Sequence, residues 1–143
     1  MASTTRLFIT LLCVLSLNTT AVASNSAAEL IADGTRLLEQ GKLEPARAAF
    51  EAAAKADPRS VAAYMKLGGV NIAQNNFSAA IAIYKQAIGL DPNNAKAFIG
   101  LGIAYLHSGD KFLTRAALEE AMRLEPGRKP QLAPIIATLN SPD

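Results

Sequence analysis

An all-α array of stacked helical hairpins is predicted by three features of this chain. Pro58, Pro92 and Pro126 stand 34 residues apart, large and small residues recur in register between them, and Gly41, Asn75 and Gly109 mark one slot near the middle of each block. A fixed period of this length means that each unit is one supersecondary element unable to bury its apolar face alone, so neighbours must stack to build a continuous core. Composition agrees: 50% of the residues are hydrophobic, with much alanine and leucine and few β-branched runs beyond the amino terminus. Nothing in the pattern predicts strands.

The blocks are 27–60, 61–94 and 95–128. Leu30, Tyr64 and Phe98 share one slot, Leu37, Asn71 and Tyr105 the next, and Phe50, Tyr84 and Leu118 a third, so large side chains dominate these positions. Small residues recur between them, at Gly34, Gly68 and Gly102, at Ala46, Ala80 and Thr114, and at Ala53, Ala87 and Ala121. A glycine inside a helix costs roughly 1 kcal/mol against alanine, so three at one slot predict close approach of a neighbouring helix. The first helix of each hairpin is predicted to stop at about Gln40, Gln74 and Ser108, because the following glycine or asparagine tolerates the left-handed conformation that ends a helix. Asp57, Asp91 and Glu125 precede the prolines, and a residue before proline is pushed out of the α region, so the second helix ends there.

After the third block, Leu132, Ile135, Ile136 and Leu139 follow the spacing of one helical face. They predict a capping helix over about 131–139, with Pro134 tolerated if it falls in the first turn, covering the open side of the last hairpin as terminal repeats require.

Three blocks in phase over roughly 100 residues, with large, small and proline positions in this order, resemble the tetratricopeptide repeat family. The resemblance implies a right-handed solenoid of three helix-turn-helix units closed by the capping helix. The chain departs from the family pattern at Asn71, where a large side chain is usual, at Thr114, where alanine is, and in having no tryptophan at the first large slot. The resemblance also implies a concave groove lined by a second stripe of each first helix. Here that stripe reads Ile31, Thr35 and Leu38, then Met65, Gly69 and Ile72, then Ile99, Ile103 and Leu106. Part of its area is expected to touch the neighbouring first helix, and the surplus to form an apolar interaction patch. Some family members hold a partner's carboxyl terminus there with lysine, arginine and asparagine. Lys66 and Lys96 lie near the groove edge, but Thr35, Gly69 and Ile103 at its centre cannot clamp a carboxylate, so the expected ligand is an apolar or amphipathic segment. The flexible thioether of Met65 would let the groove repack around different guests.

Ahead of the repeats, Arg6 precedes the apolar run Leu7–Leu17, a polar stretch and Ala21-Val22-Ala23. The run is about half the roughly 20 residues of a spanning helix, and the small residues suit cleavage after Ala23, so residues 1–23 read as a secretory signal and 24–143 as the mature domain. An uncleaved anchor and an organelle transit peptide are the alternatives. The single cysteine, Cys13, lies inside the signal, leaving the mature chain without disulfide or thiol chemistry.

The formal net charge of +2 is near neutral, and the charges alternate in sign along the helices, which gives no electrostatic footprint for nucleic acid. No nucleophile with base and orienter, no metal-ligand set and no phosphate cradle is assembled. The one histidine, His107, sits in a His-Ser-Gly-Asp stretch explained by turn chemistry. No enzyme activity, cofactor, metal or small-molecule substrate is therefore expected. The function expected is that of an exported adaptor or scaffold, periplasmic or secreted, holding a segment of another protein in its groove. A monomer is expected, with oligomers possible. Two alternatives stand beside this reading: an assembly or maturation chaperone in pilus, secretion or cytochrome biogenesis, and a structural protein that self-associates through its repeats.

Overall fold

The computed structural model describes residues 25–139, which fold into three antiparallel helical hairpins and a terminal helix. The hairpins are α1 (Ala27–Glu39) with α2 (Leu43–Ala56), α3 (Val61–Ala73) with α4 (Phe77–Leu90), and α5 (Ala95–His107) with α6 (Lys111–Leu124). A 3-10 turn, Pro126–Arg128, leads into α7 (Lys129–Thr138). The signal sequence and cleavage site predicted above lie outside the described residues.

Each helix boundary has a local cause. Ser26, Ser60 and Asn94, themselves 34 residues apart, accept hydrogen bonds from the backbone N–H groups of Glu29, Ala63 and Ala97, all at 3.2 Å, and so cap α1, α3 and α5. Ser26 adds the reciprocal bond from its own N–H to the Glu29 carboxylate at 2.8 Å, a complete capping box. The first helices end where the turn slot turns left-handed, at φ 72° for Gly41, 61° for Asn75 and 86° for Gly109. The Asp57 and Asp91 carboxylates accept bonds from the N–H groups two residues on, at 3.0 and 3.3 Å, and hold the turns around Pro58 and Pro92.

The third linker lacks both devices. Glu125 stands in place of the aspartates and Arg128 in place of the capping Ser or Asn, and Glu125 instead receives the Arg128 guanidinium at 2.8 Å. With no cap to start a fresh helix, the chain runs through the 3-10 turn straight into α7, two residues ahead of the expected start. Pro134 consequently sits inside α7 and not in its first turn as the sequence suggested.

The recurring glycines are contact points. A Cβ placed on Gly34 would lie 2.5 Å from Phe50 Cε1, one on Gly68 2.7 Å from Tyr84 Cζ, and one on Gly102 2.8 Å from Leu118 Cδ2. The large residue of each second helix thus lies flat on the glycine of its own first helix. The departures are absorbed differently: buried Asn71 donates its amide to the Leu67 carbonyl at 2.8 Å, and buried Thr114 donates its hydroxyl to Asp110 O at 2.8 Å, so neither leaves that donor unmatched.

Stacking produces curvature. Each second helix packs on the next first helix, and α1 touches α3 and α3 touches α5, whereas α2, α4 and α6 do not touch one another. Helices in contact on one side and apart on the other bend the array with α1, α3 and α5 on the inner wall. Phe50, Leu67 and Val70 join the first repeat to α3, and Tyr84, Leu101 and Tyr105 join the second to the third. Leu132 and Ile136 of α7 join a last cluster with Leu118 and Ala121 of α6, while Ile135, expected on the same face, is 38% exposed.

Candidate binding groove

The nine stripe residues all lie on the inner helices, yet they are not equally open. Ile31 and Leu38 are half-buried against the cluster that joins α2 to α3, and Met65 and Ile72 against the one that joins α4 to α5 and α6. Ile99 is half-buried beside Ala95, Leu118 and Leu132. Thr35 turns its hydroxyl back onto the Ile31 carbonyl at 2.8 Å, a local bond that leaves little for a guest. Free surface is concentrated at Gly69, which is exposed, and at Ile103 and Leu106, which are 38% and 40% exposed.

The gradient from the first repeat to the third has a simple origin. Leu38 and Ile72 are covered because another first helix follows theirs. Behind α5 comes α7, which packs on α6 and the 3-10 turn and meets α5 only at its start, where Leu132 and Ile136 join the cluster of Ala95, Phe98 and Ile99, so Leu106 at the far end keeps its surface. The apolar part of the groove therefore sits toward its carboxyl-terminal half.

Lys66 and Lys96 are exposed. His107 stacks on Phe77 with ring centroids 5.0 Å apart and planes 9° from parallel, tying the end of α5 to the start of α4. Among the described residues no group of three His, Cys, Asp or Glu side chains comes together.

One groove residue escaped the sequence reading. Tyr84 fills the large slot of α4 and is 5% exposed, but its ring lies between Gly68 on α3 and Gly100 on α5, with its hydroxyl beside Gly69 on the inner wall. Burial without a compensating partner pushes the phenol above its ordinary value. The available signal was Gly100 itself, a glycine outside the repeating slots, one turn from Ile103.

Helical hairpins in phase, an inner wall of first helices and a bend toward that wall define a repeat solenoid that presents one curved surface. Two models described as Tetratricopeptide repeat match residues 31–95 and 71–133, together well over half of the chain. The chain belongs to the tetratricopeptide repeat family.

No curated protein matches the sequence significantly. Solved structures resemble the fold. The first TPR of Spaghetti (RPAP3) bound to the HSP90 peptide SRMEEVD superposes with a TM-score of 0.75 at 22% identity, over 82% of this chain and 96% of that one. The second TPR domain of human RPAP3, in complex with the HSP70 peptide SGPTIEEVD, gives 0.76 at 23% identity over 81% and 96%. MamA gives 0.77 at 25% identity over 82% of this chain and 68% of that one.

Proposed function

We propose that this protein is an exported adaptor whose concave wall holds an apolar or amphipathic segment of a partner protein. The observation that carries this reading is the uncovered aliphatic surface of Ile103 and Leu106 on the inner face of a curved array. An apolar patch kept open in a repeat protein, next to slots that are otherwise filled, marks an interaction surface. RPAP3 domains of the same fold are seen with peptides ending in Glu-Glu-Val-Asp. Thr35, Gly69 and Ile103 offer such an acidic terminus no cation, so the guest of this groove is apolar.

A pull-down from an envelope fraction tests the reading, with protein beginning at Ser24 as bait and a Met65→Glu, Ile103→Glu double variant as control. Each glutamate places a charge on the apolar wall, and desolvating it should reduce capture of groove ligands at least about tenfold. Equal recovery on both baits would move the binding surface elsewhere. Export is tested on the same material: amino-terminal sequencing of protein recovered from the periplasm should begin at Ser24, and a start at Met1 would remove the signal from the proposal.

A second reading, self-association through the carboxyl-terminal end, has one observation in its favour. Phe112, in the first turn of α6, is 77% exposed. Light scattering separates the two, since end-to-end association gives a mass that rises with concentration and that Phe112→Ser lowers, whereas an adaptor stays at one subunit.

A further inference from the structure

At the junction of the second and third repeats the inner wall presents a phenol hydroxyl that has no partner among the described residues. Tyr84 reaches it from α4 by passing between α3 and α5, and the passage exists because glycines line it. A Cβ on Gly68 would lie 2.7 Å from Tyr84 Cζ, and one on Gly100 would lie 2.8 Å from Oη and closer still to Cε1 and Cζ. A Cβ on Gly69 would be 3.8 Å from Oη, an ordinary contact, so the hydroxyl lies beside an exposed backbone position of the groove. The residue is 5% exposed, and its hydroxyl makes no hydrogen bond among the described residues. Among those residues the side-chain atoms that are both sealed from solvent and unpaired are Arg47 Nε and Gln74 Oε1. The Tyr84 hydroxyl is not sealed and opens onto the groove.

We propose that Tyr84, seen through the gap between Gly69 and Gly100, binds the main chain of an extended apolar peptide by a hydrogen bond to one of its backbone carbonyls. This rests on the reading of the inner wall as a peptide groove and adds the conformation and register of the guest. A phenol buried to its rim is a fixed donor whose pairing is worth most where water is thin. Gly69 has no side chain to hold a guest away, so a backbone can descend to the hydroxyl. Met65 and Ile72, one turn to either side of Gly69, and Ile103, one turn beyond Gly100, supply apolar walls for the flanking side chains. A helix is a poor partner for this donor, because its carbonyls are already bonded within the helix and lie beneath its side chains. An extended chain leaves carbonyls free at its edges. Phe50 and Leu118 hold the Tyr84 slot in the other repeats and have no hydroxyl, so the donor occurs once and pins one residue of the guest.

The test uses capped synthetic decapeptides of Val, Leu, Ile and Ser, with binding to the purified protein followed by fluorescence anisotropy. Tyr84→Phe keeps the ring and should weaken the best peptide about three- to tenfold, the net worth of one hydrogen bond. Gly69→Ala fills the gap at a site with room for a methyl, so it should weaken binding while raising the melting temperature by about 4 °C through helix propensity. Replacing peptide amides by esters one at a time should find one position whose carbonyl matters to the parent and not to Tyr84→Phe.

Parent-like binding by Tyr84→Phe, with binding lost in Met65→Glu, Ile103→Glu, overturns this site and leaves the groove intact. Unchanged binding in every variant overturns both. No binding by any decapeptide, or tighter binding of a stapled helix of the same composition, overturns the extended main chain as occupant.

Discussion

Replacing Gly68 by leucine is expected to remove about 3 kcal/mol of stability and to lower the melting temperature by about 10 °C. The Cβ alone would fall 2.7 Å from Tyr84 Cζ, well inside van der Waals contact, and the rest of the side chain would compete with the ring for the same space. Tyr84 cannot retreat, because Gly100 is packed against the other side of the ring. Overpacking a well-filled core forces side chains off their rotamers or moves backbone, and here the backbone that must move is the contact between the second and third repeats. Gly100→Ala should act in the same direction with a single methyl. Gly89→Ala is the control, since a Cβ there meets nothing within 4 Å and the variant should be neutral or slightly stabilising. Pairing Gly68→Leu with Tyr84→Ala should recover part of the loss, which a generic intolerance of leucine would not allow. Thermal unfolding of Gly68→Leu at the parent temperature would show that the glycine slot is not a contact.

Deleting Leu132–Asp143 is the second large effect. Leu132 is 5% exposed and closes the cluster formed with Ala95, Leu118 and Ala121. Removing one buried leucine forfeits about 1.5–3 kcal/mol of burial, and the loss grows because Leu118 and Met122 of α6 are then left open to water. The truncated protein should aggregate or melt at least about 10 °C lower. Leu132→Ala keeps the helix and makes the result interpretable if the truncation precipitates, with an expected loss of about 2–4 kcal/mol in a urea titration. A soluble truncation with parent stability would make α7 an appendage.

Much of the hairpin array could be read from the chain before any coordinates, and the reason is particular to repeats. Gly34, Gly68 and Gly102 state the same packing requirement three times, and the turn slot of Gly41, Asn75 and Gly109 states the same backbone requirement three times. Repetition turns weak local propensities into a strong signal. The capping slot of Ser26, Ser60 and Asn94 obeyed the same period and could have been read with it. Where repetition fails, so does legibility. The linker Glu125–Arg128 breaks the aspartate and cap positions together, and the placement of Pro134 and Ile135 in α7 follows from that break. Among the nine stripe residues, periodicity placed all on one face and could not rank them, although Ile103 and Leu106 are open and Ile31, Leu38, Met65, Ile72 and Ile99 are partly covered.

The sequence by itself determined the hairpins, their phase and their turn points, because each of these depends on spacing along one chain segment and on the conformational range of a few residues. Only the tertiary structure decided that α7 covers the start of α5 and leaves Leu106 open, and that Tyr84 threads a glycine gap to bring a hydroxyl to the groove. Exposure is a sum over neighbours that are distant in sequence, and the direction of a buried ring is set by whichever of those neighbours leaves room for it.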